Sequence, residues 1–459
     1  MKSLMSSVLA VALLLPLACG LPAAWSAEPA GSPGGESWTG TPEQRLWGLM
    51  QVWSETKAAF PHFDARPGLD WDAAARDAIP RVLAAPDRDA YYAVLMELVA
   101  RLGDGHTLVL PPWGYVRPDF DGPPVELQVV DGRFLVARAA PTAEITTALL
   151  APGTEIVAVD GEPVRSRFED RVLRYHGRGV SQADEAINLY YLLQGPRGSR
   201  MSLAVREAGG AERTVGLTRD STGPGGEPFA WRFVEWNLIA QHLITRQLES
   251  GIRYVAIPNF GEPRFADEFL ALVDTAAVDG TRALVIDLRY NLGGSSRNAE
   301  AMIAGLIDKP AATAIMRYPH RVAALRAWGE PEPWSEKSWE VAPRVGRRYA
   351  GPIVILTAGA TNSTAEDFAL MLRGAGRAVL VGGPTAGSSG NALVVPLPGG
   401  GQLRASTFAA RCPDGTQYVG KGLVPDVAVA PTAADVRDGL DPVLARGVAK
   451  ARLLADAPR

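Results

Sequence analysis

The sequence predicts an α/β protein with a helical front end and a small β unit ahead of its main sheet, and three observations carry that prediction. From about residue 250, the apolar runs Y-V-A-I-P-N-F, A-L-V-I-D-L-R, P-I-V-I-L-T-A and A-V-L-V-G-G alternate with helical patterns. None alternates polar with apolar residues, as expected of strands buried on both faces of a sheet that helices cover. Short β-like runs cluster between about 120 and 220, and helical spacing dominates residues 41–115. A chain of 459 residues has room for two or three such units.

At the front, Lys2, the apolar residues 8–17 and the small residues around Ala23 to Ala27 predict a secretory signal peptide over 1–26, and with it a secreted or periplasmic location. Cys19 offers a lipoprotein alternative, for which Pro16 and Leu17 make a poor attachment box. Residues 27–40, rich in Gly, Pro and Ser, read as a linker. After cleavage Cys412 is the single cysteine, so no intrachain disulfide is available. No other apolar run is long enough to span a bilayer.

The helical domain, 41–115, starts with Thr41 as cap and Pro42 at the first helical position, and Leu46, Leu49, Met50 and Trp53 share one face. A second pattern places Tyr91, Leu95, Leu98 and Leu102 together and ends at Gly103, just before D-G-H-T, Asp104 to Thr107. In the β unit, 120–220, V-E-L-Q-V-V and R-F-L-V-A flank the turn pair Asp131-Gly132, and T-E-I-V-A-V-D-G-E-P-V and M-S-L-A-V-R follow. The main α/β unit is expected over 228–435, with a helical tail over 436–459.

Composition excludes some functions. A net charge of −4 and a pI near 5.9 give no basic surface for nucleic acid. There is no H-E-x-x-H pair and no Cys/His cluster, so neither a metal nor another cofactor is expected.

Three constellations could carry chemistry. D-L-R-Y-N-L-G-G, Asp287 to Gly294, leaves a buried strand and enters a helix. Its paired glycines either make a tight turn or let backbone amides approach a substrate. Ser363 and Glu366 in T-N-S-T-A-E-D-F form a capping-box pattern. The same geometry holds the Ser363 hydroxyl at the positive end of a helix, beside amides that could stabilise an oxyanion. His106, one of five histidines, by itself reads as a hydrogen-bonded structural residue rather than a base.

Their order along the chain is informative. D-L-R-Y-N-L-G-G, N-S-T-A-E-D-F, R-A-V-L-V-G-G-P-T-A-G and G-K-G-L-V-P-D-V follow one another as in the carboxyl-terminal processing, or tail-specific, serine peptidases, which this chain resembles over nearly its whole mature length. D-G-H-T is similar to the histidine segment of the tricorn-like branch, and the middle unit resembles that family's PDZ domain. The resemblance implies a crotonase-like core and an acyl-enzyme on Ser363. The oxyanion would be held by the Thr364 amide and by that of Gly293 or Gly294.

The branch that uses a lysine base is not matched: Ser388 stands at its position, and none of Lys57, Lys309, Lys337, Lys421 and Lys450 replaces it. The tricorn-like branch implies His106 as base. There a hydroxyl residue beside the histidine and a later glutamate orient the ring, but Gly105 and Val419 stand at those places. Asp104 and Asp414 are candidate substitutes between which spacing does not choose. The implied partners are polypeptides, with a free C-terminus added as a strand to a PDZ sheet edge. The alternative is a catalytically impaired relative that binds peptides or hydrophobic ligands, as interphotoreceptor retinoid-binding proteins do on the same fold. Acyl-CoA chemistry, a third use of such a core, fits poorly with an exported chain.

Overall fold

The computed structural model describes residue 38 and residues 40–207 and 209–457, so the expected signal peptide and nearly all of the linker, with Cys19, lie outside the described residues. Thr41 and Gln44 close a reciprocal capping box and Pro42 opens α1 (Pro42–Ala59), as the cap signals predict. Asp70 and Asp87 cap α2 (Trp71–Ala84) and α3 (Arg88–Ala100). The predicted stripe of α3 is buried. In α1 the buried line is instead Leu49, Val52 and Thr56, and Met50 faces solvent. The helix is rotated so that one narrow stripe of three- and four-residue spacing meets its neighbours.

Past the D-G-H-T turn the chain forms β1 (Leu108–Leu110) and then the middle unit. Strands β2 (Val125–Val130), β3 (Arg133–Ala139), β4 (Glu155–Val159), β5 (Arg200–Arg206) and β6 (Glu212–Thr218) pair antiparallel in sequence order, with α4 (Ser181–Ile187) beside them. Asp131 and Gly132 both take positive φ, 50° and 75°, the requirement of a two-residue hairpin whose twist matches its strands. Phe134, Phe168, Ile156 and Leu203 fill the interior.

The main unit runs through β7 (Ile244–Gln247), β8 (Ile252–Ala256), α5 (Pro263–Ala276), β9 (Ala283–Asp287), α6 (Ser296–Ala304), β10 (Ile353–Thr357), α7 (Thr364–Gly374), β11 (Ala378–Gly382), β12 (Leu393–Pro396), β13 (Gln402–Ala405), β14 (Val427–Ala428) and α8 (Pro442–Asp456). Its sheet has the order β7-β8-β9-β10-β11-β14, antiparallel only between β7 and β8. Every residue of β9 and β10 is buried. That is why these strands lack alternation: α5, α6 and α7 supply Phe265, Phe269, Met302 and Phe368 to one face, and α8 brings Val443 and Ala451 to the other.

Two boundaries differ from the expectation. The predicted tail is not an appendage, since α8 is a full layer of the main unit and its cap Asp441 is ion-paired with Arg289 at 2.8 Å. Nor do the front helices enclose a core of their own; their cluster includes Leu397, Leu403 and Ala405 from the β12–β13 hairpin. β1 accordingly pairs antiparallel with β13, with Leu108 opposite Arg404. No helix among the described residues is long and apolar enough to cross a membrane.

Candidate active site

The β1–β13 pairing delivers His106 across the molecule to the mouth of α7. The D-G-H-T turn is pinned by Asp104, whose carboxylate accepts from the hydroxyls of Thr107 and Ser406, both at 2.6 Å. His106 Nε2 then lies 2.8 Å from Ser363 Oγ, and Nδ1 lies 2.7 Å from Ser388 Oγ. These three side chains come from three distant segments and form one line: hydroxyl, imidazole, hydroxyl.

Ser363 follows β10 through a turn in which the Thr361 hydroxyl donates to the Leu288 carbonyl at 2.9 Å. Its backbone has φ 57° and ψ −126°, a conformation that costs a non-glycine residue about 1–3 kcal/mol and persists only where the surroundings impose it. The Ser363 N–H donates to the Ser388 carbonyl at 2.9 Å and to Glu366 Oε2 at 3.1 Å, and the Glu366 N–H returns to the Ser363 carbonyl at 2.7 Å. The Glu366 side chain thus caps the Ser363 N–H, and Ser363 Oγ stays within reach of the imidazole. Cap and nucleophile are compatible uses of one residue.

Glu366 ties the site together. Besides Ser363 it accepts from the Thr385 hydroxyl at 2.5 Å, the Gly387 N–H at 2.8 Å and the Ser388 N–H at 2.9 Å. Complete burial pushes its carboxyl up to about 8, against the pull of these donors. The loop bearing Ser388 is thus fastened to the helix that bears Ser363.

Burial also pushes the His106 imidazole down to about 4, opposed by Asp104 and reinforced by Arg404 and Arg178. At neutral pH the ring is uncharged. With its proton on Nδ1 and facing Ser388, Nε2 presents a lone pair to Ser363, the tautomer a general base needs.

Of the expected orienting groups, neither carboxylate is bonded to the ring. Asp104 is spent on Thr107 and Ser406, and Asp414 accepts from the Thr416 N–H in an exposed turn. Ser388 takes that place. It was noted in the sequence only as a missing lysine; the available signal was the pair Gly105 and Ser388, because a Cβ on Gly105 would lie 2.5 Å from Ser388 Oγ. Val419 packs against the main core.

The glycine turn closes on the other side of Ser363. A Cβ on Gly293, at φ 98°, would lie 2.8 Å from Ser363 Cβ, and one on Gly294, at φ 142°, would run into the Phe260–Gly261 backbone. Only glycine lets the two segments approach so closely. Asn291, fully buried, holds the turn: it donates to the Ile257 carbonyl at 2.9 Å, accepts from the Gly293 N–H at 2.8 Å and receives the Asn362 N–H on its own carbonyl at 3.0 Å. Gly293 thereby spends its amide, whereas those of Gly294 and Thr364 have no recorded protein acceptor among the described residues. Asn291→Ala should lower kcat by about 10², the usual cost of a misplaced oxyanion donor. It should also cost about 1–3 kcal/mol in urea unfolding through the stranded carbonyl. An unchanged kcat would separate this turn from the chemistry.

Among the described residues no group of three or more His, Cys, Asp or Glu side chains is placed to hold a metal ion.

Comparison with known proteins agrees with this architecture. Residues 251–429 match the model of peptidase family S41. A carboxy-terminal-processing protease of Bartonella bacilliformis is 25% identical over 219 residues, 45% of each chain. The carboxy-terminal processing protease CtpB of Bacillus subtilis is 22% identical over 312 residues, 68% of this chain and 55% of that one. The chain spans about half the length of these curated relatives. Among solved structures, mature CPAF complexed with lactacystin superposes with a TM-score of 0.68 at 17% identity, covering 90% of this chain and 98% of that one, a likeness of fold.

Proposed function

We propose that this chain, whose residues 251–429 match the peptidase family S41 model, is an exported serine endopeptidase in which His106 activates Ser363 and Ser388 orients His106. The observation that carries this reading is the unbroken line from Ser363 Oγ through both ring nitrogens of His106 to Ser388 Oγ. Neutral His106 takes the Ser363 proton on Nε2 as Oγ attacks the scissile carbonyl, and Nδ1–H, donating to Ser388, keeps the ring in register. The amides of Gly294 and Thr364 face the developing oxyanion and need no reorganisation to receive it. His106 then protonates the leaving amine, and a water deprotonated by the same nitrogen releases the acyl group from Ser363.

In this reading the main sheet and its helices are the crotonase-like core, and the middle unit is a PDZ-like module. A polypeptide with a free C-terminus is the substrate, met outside the cytoplasm. Stoichiometric labelling by a fluorophosphonate, mapped to Ser363, tests the proposal and separates it from the binding-protein alternative, which requires an unreactive serine.

The pH profile is a further test. A histidine must be neutral to accept a proton, so kcat/KM falls as pH drops through its pKa. With His106 held at about 4, kcat/KM is expected to stay nearly flat from neutrality to about pH 5, to halve by about pH 4 and to lose about tenfold per unit below that. A limb near the unperturbed value of about 6.5 would contradict the buried neutral imidazole.

A further inference from the structure

We infer that Asn237 is a positioning residue of the proposed hydrolysis, holding the peptide planes on either side of Asn291 and through them the oxyanion amide of Gly294. The glycine turn has little stiffness of its own, since Gly293 and Gly294 take φ 98° and 142° and carry no side chain to hinder rotation. Hydrogen bonds to its backbone must set its shape. At the far end, the Gly293 and Gly294 carbonyls accept from the Phe260 N–H and the Thr364 hydroxyl, both at 2.8 Å. The near end, at Asn291, is left to Asn237.

In the peptide joining Tyr290 to Asn291, the N–H donates to the Leu288 carbonyl at 3.1 Å and the carbonyl accepts from Asn237 Nδ2 at 2.9 Å. In the peptide joining Asn291 to Leu292, the carbonyl accepts from the Asn362 N–H at 3.0 Å and the N–H donates to Asn237 Oδ1 at 3.2 Å. Each plane is tied at one end to the main unit's own turns and at the other to Asn237. A carbonyl and an N–H two residues apart call for a side chain with donor and acceptor together, as a primary amide has, and these partners fix which of its ends is oxygen. With both planes held, the Asn291 side chain is aimed so that Oδ1 meets the Gly293 N–H at 2.8 Å. The amide of Gly294 follows in the next plane.

Asn237 is itself held. It lies in a π-helical turn, Glu235–Ile239, closed by the Ala240 N–H on the Glu235 carbonyl at 2.8 Å. Trp236 beside it is buried and packs edge to face on the Tyr290 ring, with centroids 5.1 Å apart, and Arg232 donates to the Tyr290 hydroxyl at 3.0 Å. Upstream, the Trp231 indole donates to the Val125 carbonyl at 2.9 Å and the Arg232 N–H to Glu126 at 3.1 Å. The stretch is therefore anchored on the middle unit as well as on the glycine turn, and a site is only as precise as the groups that support it. Without Asn237 each plane keeps a single tie, and the Gly294 amide swings away from the oxyanion it would receive. The inference rests on the peptidase reading, which supplies that oxyanion.

The full chain is compared with Asn237→Ala and with Asn237→Leu, which keeps nearly the volume of the amide and serves if the alanine variant does not fold. Turnover of unfolded casein is normalised to the sites that a fluorophosphonate titrates, so a variant that merely folds less well loses sites and keeps its turnover per site. Turnover per site is expected to fall at least about tenfold, short of the 10²–10³ or so of a donor removed outright. KM should change less than about twofold, as for an interaction made only in the transition state. The acid limb of kcat/KM should stay where the wild type has it, because His106 and Ser363 are untouched. The second-order rate of fluorophosphonate labelling should fall with turnover, since phosphonylation builds charge at the same place. Asn237→Ala combined with Asn291→Ala should be no slower than Asn291→Ala alone, because both free one turn. Turnover per site within about threefold of the wild type, a displaced acid limb, or losses that multiply in the double variant overturns the inference. A wild type that neither cleaves casein nor takes the label overturns the peptidase reading, and this inference with it.

Discussion

Ser363→Ala is expected to remove about six orders of magnitude from kcat, as loss of the nucleophile does in serine peptidases where nucleophile and base act as a unit. Fluorophosphonate labelling should vanish with it. The fold should survive, because the Glu366 carboxylate still accepts the residue-363 N–H and the Ser388 carbonyl still receives it. The cost in urea unfolding is limited to the lost cap, about 0.5–2 kcal/mol. His106→Ala should fall to a similar floor, and the double variant should be no worse than either, since an unassisted serine and a base without a nucleophile are equally idle. Additive losses would mean that His106 and Ser363 do not share one proton.

What the sequence disclosed and what it withheld divide along a physical line. Local signals were legible: the Thr41 and Ser363 capping boxes, the Asp131-Gly132 turn and the non-alternating strands all follow from short-range sterics and burial, and each is present. Met50 shows the limit of periodicity, which assigns a stripe only to within the rotation that neighbours then choose. Which distant segments pack together is a different matter. β1 pairs with β13 from the far end of the chain, Val109 opposite Leu403, and no local pattern announces such a pairing. That same pairing brings His106 to Ser363, so their proximity was available from resemblance and not from spacing.

Ser388 carries no local signal of its place: the sequence offers the acids Asp104 and Asp414 as partners for the ring, yet the group beside Nδ1 is a hydroxyl. Asp104 still matters to His106, at one remove, by fixing the turn through Thr107 and Ser406. The Cβ position of Gly105 falls against Ser388 Oγ. In the proposed mechanism the orienting hydroxyl comes from Ser388, and the glycine at position 105 leaves room for it.

This exchange makes the second large prediction. Ser388→Ala leaves His106 Nδ1 without its recorded partner, and a triad imidazole freed to take the wrong tautomer can lose about 10⁴ in turnover. In the proposed mechanism Ser388 positions the base without touching substrate, so kcat should fall while KM stays nearly constant, and Ser388→Thr should recover much of the loss. Gly105→Ser alone, which would restore the pattern of the tricorn-like branch, is expected to lower activity, since its Cβ would lie 2.5 Å from Ser388 Oγ and 2.9 Å from Ser388 Cβ. Combined with Ser388→Gly, the same Gly105→Ser regains a hydroxyl on the Nδ1 side of the ring and the room to hold it, so the double variant should exceed both singles. If Gly105→Ser proves as active as the wild type, or if Ser388→Ala costs less than about tenfold in kcat, the imidazole is held by something other than Ser388.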